Sequence, residues 1–462
     1  MPREHRPFGV LHEDDVDPLQ ESGYGSLLPP LSVLSSTSSS SRGHLDIRPV
    51  PHSELAIMRR YSSGTLAASR PPSPTYPETS AKNHLRSCRQ TIDYSASDDA
   101  TGLWPLSWSA HDLVMFGRGK RVHYKNVGSN ANNDVGQLCK IKDAHGYLHL
   151  LQCGGKDQVN MVAVCTSKGH LQLWDVPTKK MIRSWSTKGV SAMRWNTAVL
   201  TVGGLRGAIR HFDTRVKESS KMKEQAKKVT RHQAKICSLA WSEGGKLFAS
   251  GDEAGLVHIW DVRKNVPLDV GDLVQRRKRM LHAGPVQALA WCPWQTKILA
   301  SGDAAPDGNN VVRIWNVENM NDSSPSRLSR YPDRLEVDAQ VTSLHFSTQC
   351  KELVSTHGPG KVTPSPQPAQ PNQRNDLNTS TELGTSKISN SVVVRSYPTL
   401  RDVVTKMAGT KGIAGSVLSP NGQRIALAVP EKNLIEIWDI WGKQIPLRRT
   451  ASLTDMHTTS IR

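Results

Sequence analysis

Two histidines, His232 and His282, could act as bases. Each precedes a serine, Ser250 or Ser301, and beyond it a tryptophan, Trp260 or Trp315. Both serines sit inside apolar runs, "LFASGD" and "ILASGD", where a histidine serves better as a structural hydrogen-bond partner than as a catalyst. The run "GRGKR" at 117–121 joins glycines to positive charge, and a tight hairpin turn accounts for it. No GxSxG, HExxH, Walker loop or metal-spaced Cys/His cluster occurs. The expectation is a protein that is not an enzyme and that needs no cofactor and no metal ion.

The elements that would position these residues are repeats. "ICSLAWSEGGKLFASGDEAGLVHIWDVR" (236–263) resembles "VQALAWCPWQTKILASGDAAPDGNNVVRIWNVEN" (286–319). Each alternates apolar and polar residues with period two, the mark of β-strands, and closes on Trp-Asp or Trp-Asn. The closing tryptophans fill space between sheets. His232 and His282 can bond across to Ser250 and Ser301. Weaker copies close at Trp174, at Phe212-Asp213 and at Trp438; one resumes at "SVVVRSYPTL", and one starts the array near residue 104. The series predicts an all-β, seven-bladed WD-repeat β-propeller over 86–445.

The flanks differ. Residues 1–85, with "SSTSSSSR" and "SRPPSPTYPETS", read as a disordered regulatory arm, and 446–462 as a flexible tail ending in Ile-Arg. An insert at 358–387, rich in Pro, Asn, Ser and Thr, reads as a disordered loop in blade six. Ser62, Ser73, Thr363 and Ser365 are candidate phosphorylation sites: "RRYS" places Ser62 after two arginines, and the others precede proline.

A net charge of +18 suggests an anionic partner. Its excess lies in "KESSKMKEQAKKVTR" (217–231) and "QRRKRM" (275–280), both read as solvated loops between repeats. Twelve tryptophans against five phenylalanines point to fixed structural positions. The seven cysteines form no CxxC pair, and Cys165, Cys237 and Cys292 sit in apolar runs, behaving as small hydrophobes. With no signal peptide and no membrane-spanning apolar run, the expected location is the nucleus and cytoplasm.

"ALAWCPWQTKILASGD", "KELVSTHG" followed by "YPTL", "VSAMRWNTAVLTVGG" and "TIDYSASDDATGLWPLSWS" occur in an order similar to that of the Fizzy family, the WD-repeat coactivators of the anaphase-promoting complex. The resemblance spans about 86–441. It implies a substrate-recruiting activator of a ubiquitin ligase, acting in the cell cycle or meiosis, with degron-bearing proteins as partners. It also implies a role for the ending "HTTSIR". Family members close on Ile-Arg, which docks a tetratricopeptide-repeat subunit of the complex, so Ile461 and Arg462 are the expected anchor. A carboxylate, a guanidinium and one apolar side chain suit such a pocket. Neither a membrane nor nucleic acid is expected as partner.

The chain also departs from that family. Its C-box, near "DRxIPxR", has only loose echoes here in "LDIRPVP" and "REHRPFG". Where the family reads KEN-box peptides with asparagines, Glu253 and Gly255 stand; Ala305 stands near a threonine position and Glu436 at an arginine. Lys125 replaces a tryptophan that walls the destruction-box groove. Ile92 and Asp93 in "TIDY" match the family's residues beside that groove, where Asp93 could pair with a degron's arginine or merely cap a turn. Two other readings stay open: a WD-repeat scaffold of another assembly, and a pseudo-coactivator that inhibits the complex.

Overall fold

The computed structural model describes residues 81, 84–94, 104–128, 135–264, 266–274, 276–317, 333–364 and 383–441. The chain divides into two units, Met1–Ser73 and Pro74–Arg462, and every described residue belongs to the second. That unit is a seven-bladed β-propeller of antiparallel sheets, with one short helix among the described residues. Blades 1 to 6 follow chain order over 106–140, 148–186, 190–230, 236–281, 286–337 and 339–407. Blade 7 takes three strands from 415–439 and its fourth from the strand Cys88–Asp93. We letter the strands of each blade a to d from the inside outward. Each a strand touches the a strands of both neighbouring blades, including blade 7 against blade 1, so the ring is closed.

Closure is built from the chain's two ends. Cys88–Asp93 pairs antiparallel with Leu434–Asp439, Ile92 opposite Ile435 and Asp93 opposite Leu434. Glu352, in blade 6 and wholly buried, accepts hydrogen bonds from Trp441 Nε1 (2.6 Å) and from the Ala81 backbone N–H (3.3 Å). It thereby ties the residues just outside both ends of the pairing to one carboxylate. Ala81 and Leu85 lie in the apolar cluster around Trp441. The propeller's core therefore begins before residue 86, within the stretch assigned from sequence to the arm.

The expected tetrads are present. In blade 4, His232 Nδ1 meets Asp252 at 2.7 Å and Nε2 meets Ser250 Oγ at 2.7 Å, while Trp260 Nε1 donates to the same hydroxyl at 2.8 Å. Blade 5 keeps the serine bonds, His282 Nε2 and Trp315 Nε1 each 2.7 Å from Ser301 Oγ, but its histidine–aspartate contact, His282 Nδ1 to Asp303, is longer at 3.5 Å. These histidines are spent on structure. Two motifs far apart in sequence also meet: Trp294 of "AWCPWQ" packs edge-on to Phe346 and Tyr397, and Tyr397 Oη donates to Gln295 Oε1 at 3.0 Å. The "GRGKR" run is a hairpin turn, with Gly119 at φ 56° between strands Leu113–Arg118 and Arg121–Asn126.

Three expectations need correction. "QRRKRM" is not a loop: Arg277–Leu281 is strand d of blade 4 and carries an extra outer strand, Asp272–Val274. Its arginines, Arg277 and Arg279, are exposed while Met280 enters the core and Leu281 is half-buried. "KESSKMKEQAKKVTR" contains a helix, Ser219–Glu224, anchored by buried Met222, and strand Lys227–Thr230. The insert at 358–387 is ordered at both ends. Residues 358–360 finish strand b of blade 6, Val362–Pro364 pairs with Leu383–Thr385, and Ser386 Oγ donates to Asp338 at 2.5 Å. Residues 365–382 lie outside the described residues. Cys165 and Cys292 are buried and Cys237 half-buried; all three are free thiols whose pKa burial pushes up, to about 12, 11 and 11.

Burial also fixes how the ring responds to acid. His211, His258 and His345 are held down to about 4 and His357 to about 3, by burial first and by neighbouring cations second. From the ordinary 6.5, the unfolded chain takes up these protons before the folded one does. Their neutral, buried state is therefore fully stabilising above about pH 6.5, and the contribution is lost as pH falls toward 4, about 1–3 kcal/mol for each group. Melting temperature measured against pH should fall steeply across that window, and His211→Asn with His345→Asn should flatten the fall. An unchanged slope in the double variant would contradict this account.

Candidate peptide-binding face

Strand alternation around the ring puts all d–a and b–c loops on one face. Along Cys88–Asp93 the side chains alternate, so Ile92 points inward and Asp93, the last residue, points out. Ile92 is 1% exposed and packs among Trp108, Phe116 and Ile435. It is a core residue and has no surface to offer a peptide, which corrects its assignment from sequence. Asp93 is exposed at the rim, and its carbonyl accepts a hydrogen bond from the Arg118 guanidinium. Next to it Tyr94 stacks on Trp104 at 4.0 Å, and burial pushes the Tyr94 hydroxyl up to about 12. Sequence reasoning missed this stacked pair, since Trp104 and Tyr94 approach only once the ring closes.

Lys125 fills the slot that holds tryptophan or phenylalanine in blades 2, 3, 4, 5 and 7. Its side chain is buried, and Nζ reaches the Thr91 carbonyl at 3.4 Å. Burial lowers its pKa. The aliphatic stem takes over part of the aromatic's packing, and the ammonium is carried to an acceptor on the closing strand. Arg395 does the same in blade 6, donating to Ser355 Oγ at 2.6 Å and pairing with Asp402 at 2.8 Å.

On the central part of the face the substitutions have separate structural reasons. Gly255 has φ 86°, and a Cβ there would lie 2.3 Å from the His282 carbonyl oxygen, so no asparagine fits. Glu253 is exposed, its backbone N–H bonded to the Lys235 carbonyl at 2.9 Å. Ala305 is buried. Glu436 is consumed inside blade 7, accepting from Trp438 Nε1 (3.1 Å) and Lys432 Nζ (2.8 Å). It does for Trp438 what Ser250 does for Trp260, and blade 2 uses Gln172 for Trp174 in the same way. The stem of the blade-6 insert leans toward blade 5, where Lys361 Nζ donates to Asn309 at 3.0 Å. Ile461, Arg462, Ser62, Ser73 and Ser365 lie outside the described residues, while Thr363 falls in the short strand Val362–Pro364.

Comparison with known proteins places this geometry. The profile of the N-terminal β-propeller domain of nucleolar protein 10-like proteins matches residues 141–348. The chain is similar to "Cell division cycle 20.4, cofactor of APC complex" of Arabidopsis thaliana, 26% identical over 361 residues covering 77% of this chain and 69% of that one. It is 25% identical to WD repeat-containing protein slp1 of Schizosaccharomyces pombe, over 75% of this chain and 61% of slp1. Meiotic fizzy-related protein 1 of the same yeast is 24% identical, over 73% and 67%. Among solved structures, a chain in the crystal structure of the mitotic checkpoint complex superposes with TM-score 0.59 at 24% identity, covering 79% of this chain and 96% of that one, a likeness of fold. The chain spans between 61% and 69% of the length of these three curated relatives. The fold is that of a WD-repeat β-propeller. Within that class the chain resembles, as a divergent relative at about 25% identity, the Fizzy-related proteins and the cofactors of the APC complex.

Proposed function

We propose that this protein recruits degron-bearing substrates to the anaphase-promoting complex and activates ubiquitin transfer there, acting in the nucleus and cytoplasm without catalysis of its own. The observation that carries the reading is the similarity, over about three quarters of the chain, to proteins named as cofactors of that complex. In this reading Asp93 accepts the arginine of a destruction-box peptide at the rim between blades 7 and 1, and Ile461 and Arg462 dock a tetratricopeptide-repeat subunit. A second reading, a pseudo-coactivator that occupies the complex and blocks it, is favoured by the loss of polar readers at Gly255, Ala305 and Glu436.

The test is a ubiquitylation assay with purified complex, with and without this protein. Stimulated transfer supports activation, inhibition supports the second reading, and no effect together with no binding overturns both. Removal of Ile461 and Arg462 should weaken recovery of the complex at least tenfold, about 1.4 kcal/mol. Asp93→Lys should weaken an arginine-containing destruction-box peptide by a similar factor in fluorescence anisotropy. Its melting temperature should stay that of the parent, because Asp93 is exposed. Equal peptide affinity in the parent and Asp93→Lys would remove Asp93 from the site.

A further inference from the structure

The channel along the ring axis holds one guanidinium with no acid to meet it. Arg194 projects from strand Val190–Asn196, the a strand of blade 3. Its Nε donates to the Leu239 carbonyl of blade 4 at 3.2 Å and one Nη to Gln152 Oε1 of blade 2 at 3.3 Å. Those two bonds span three blades and aim the head of the side chain into the channel. The side chain is exposed to the solvent of the channel. Two adjoining cavities, about 300 and 270 Å³, share Arg194 and His345 in their walls. No aspartate or glutamate lines either cavity, and Arg194 forms no ion pair among the described residues. The larger cavity adds neutral hydrogen-bonding groups: the Ser191 and Ser416 hydroxyls, the Gln287 amide, and His345, whose Nε2 lies 2.9 Å from Ser416 Oγ.

Two other arginines of the ring meet acids, whereas buried Lys125 meets only the Thr91 carbonyl. Arg395 has Asp402, and Arg313 has Asp272 at 2.6 Å. A cation that projects into a narrow channel lined only by neutral groups gives that channel a positive potential that attracts anions. A guanidinium keeps its charge at any relevant pH, and its planar array of donors fits two oxygens of a phosphate or carboxylate side by side. Hydroxyl and amide donors on the opposite wall suit the remaining oxygens of a tetrahedral group better than they suit a flat carboxylate. The cavity is larger than one phosphate and smaller than a folded peptide.

We propose that the propeller channel is a binding site for a phosphate-class oxyanion, either inorganic phosphate or the phosphate of a small metabolite, held by Arg194 and bridging blades 2, 3 and 4 to blades 6 and 7. The anion then acts as a plug that stiffens the ring, whatever its loop face binds.

The experiment titrates the full chain, at constant ionic strength, with inorganic phosphate and separately with glucose 6-phosphate, following heat of binding and melting temperature. The parent protein is expected to bind at least one and to melt higher with it. Arg194→Gln should lower that affinity at least tenfold. Gln287→Glu changes a residue exposed in the channel and supplies the missing carboxylate, so it should abolish binding in a chain that stays folded. Arg277→Gln with Arg279→Gln, on the outer edge of blade 4, should leave binding intact. Binding of phosphate alone identifies the free ion, and tighter binding of the sugar phosphate identifies a metabolite. No binding of either probe to the parent overturns the proposal. So does equal affinity in Gln287→Glu, or loss of binding in the outer-edge variant alone.

Discussion

A chain that begins at Ser95 is expected not to form the ring. It lacks the strand Cys88–Asp93, so strand Leu434–Asp439 loses its outer partner and becomes an open edge. Ile92 and Tyr94 leave the cluster between blades 7 and 1, and Ala81 and Leu85 leave the one around Trp441. Burial of Ile92 alone is worth about 1.5–3 kcal/mol. The whole set, with the lost ladder, reaches the size of an ordinary domain's net stability, about 5–15 kcal/mol. The expected outcome is aggregation or a broad, non-cooperative melt by circular dichroism. A chain that begins at Pro74 should melt as the full chain does. A sharp melt for the chain from Ser95, within a few degrees of the parent, would show that the ring does not depend on its N-terminal strand.

The second large effect is expected at Trp260. It is 1% exposed, stacks parallel to Phe248 with ring centres 5.5 Å apart, and ends in the bond to Ser250 Oγ. Trp260→Ala should cost about 3–5 kcal/mol, from lost burial plus the cavity left behind. Trp260→Phe keeps most of the packing and should cost about 1–2 kcal/mol for the lost donor. Ser250→Ala removes only one oxygen, yet it strands both Trp260 Nε1 and a ring nitrogen of His232 in a dry site, at about 1–3 kcal/mol for each orphan. It should therefore match or exceed Trp260→Phe despite the smaller change in volume. Urea unfolding of the three variants gives the order. Ser250→Ala falling below Trp260→Phe would show that the tetrad's polar bonds are incidental to its packing.

What could be read in the sequence is what a blade does alone. Alternation with period two, the turn glycines and the closing Trp-Asp pairs are local. They located the strands of blades 4 and 5, and with them His232, Ser250, His282 and Ser301. What escaped depends on a neighbour in another blade. Glu352 looks like an exposed strand residue until Ala81 and Trp441 arrive from the chain's two ends. Lys125 and Arg395 break the aromatic pattern, and only the packed structure shows their stems in the same slots. Arg277–Leu281 hides as a strand because three of its five residues are charged and Met280 is its one fully buried side chain. At the candidate site the motif singled out Asp93, which is exposed at the end of its strand. Ile92 was misassigned because the motif gives a residue's place on a strand but not which side of the strand meets the core.

The ring's two-ended seam sets a timetable for the protein's synthesis. Arg89 pairs with Asp439, a partner 350 positions later in the chain. At translation rates of about 5–20 residues per second, roughly 20–70 s pass between the emergence of one and the other. Through that interval Cys88–Asp93 has no partner of its own, and blade 1 has no blade 7 to cover its flank. Each nascent chain thus carries an unpaired strand longest at the end made first. Yield in a cell should then depend on how quickly the last blade is translated: slow codons placed in 415–439 should lower the soluble fraction more than the same codons placed in 236–281.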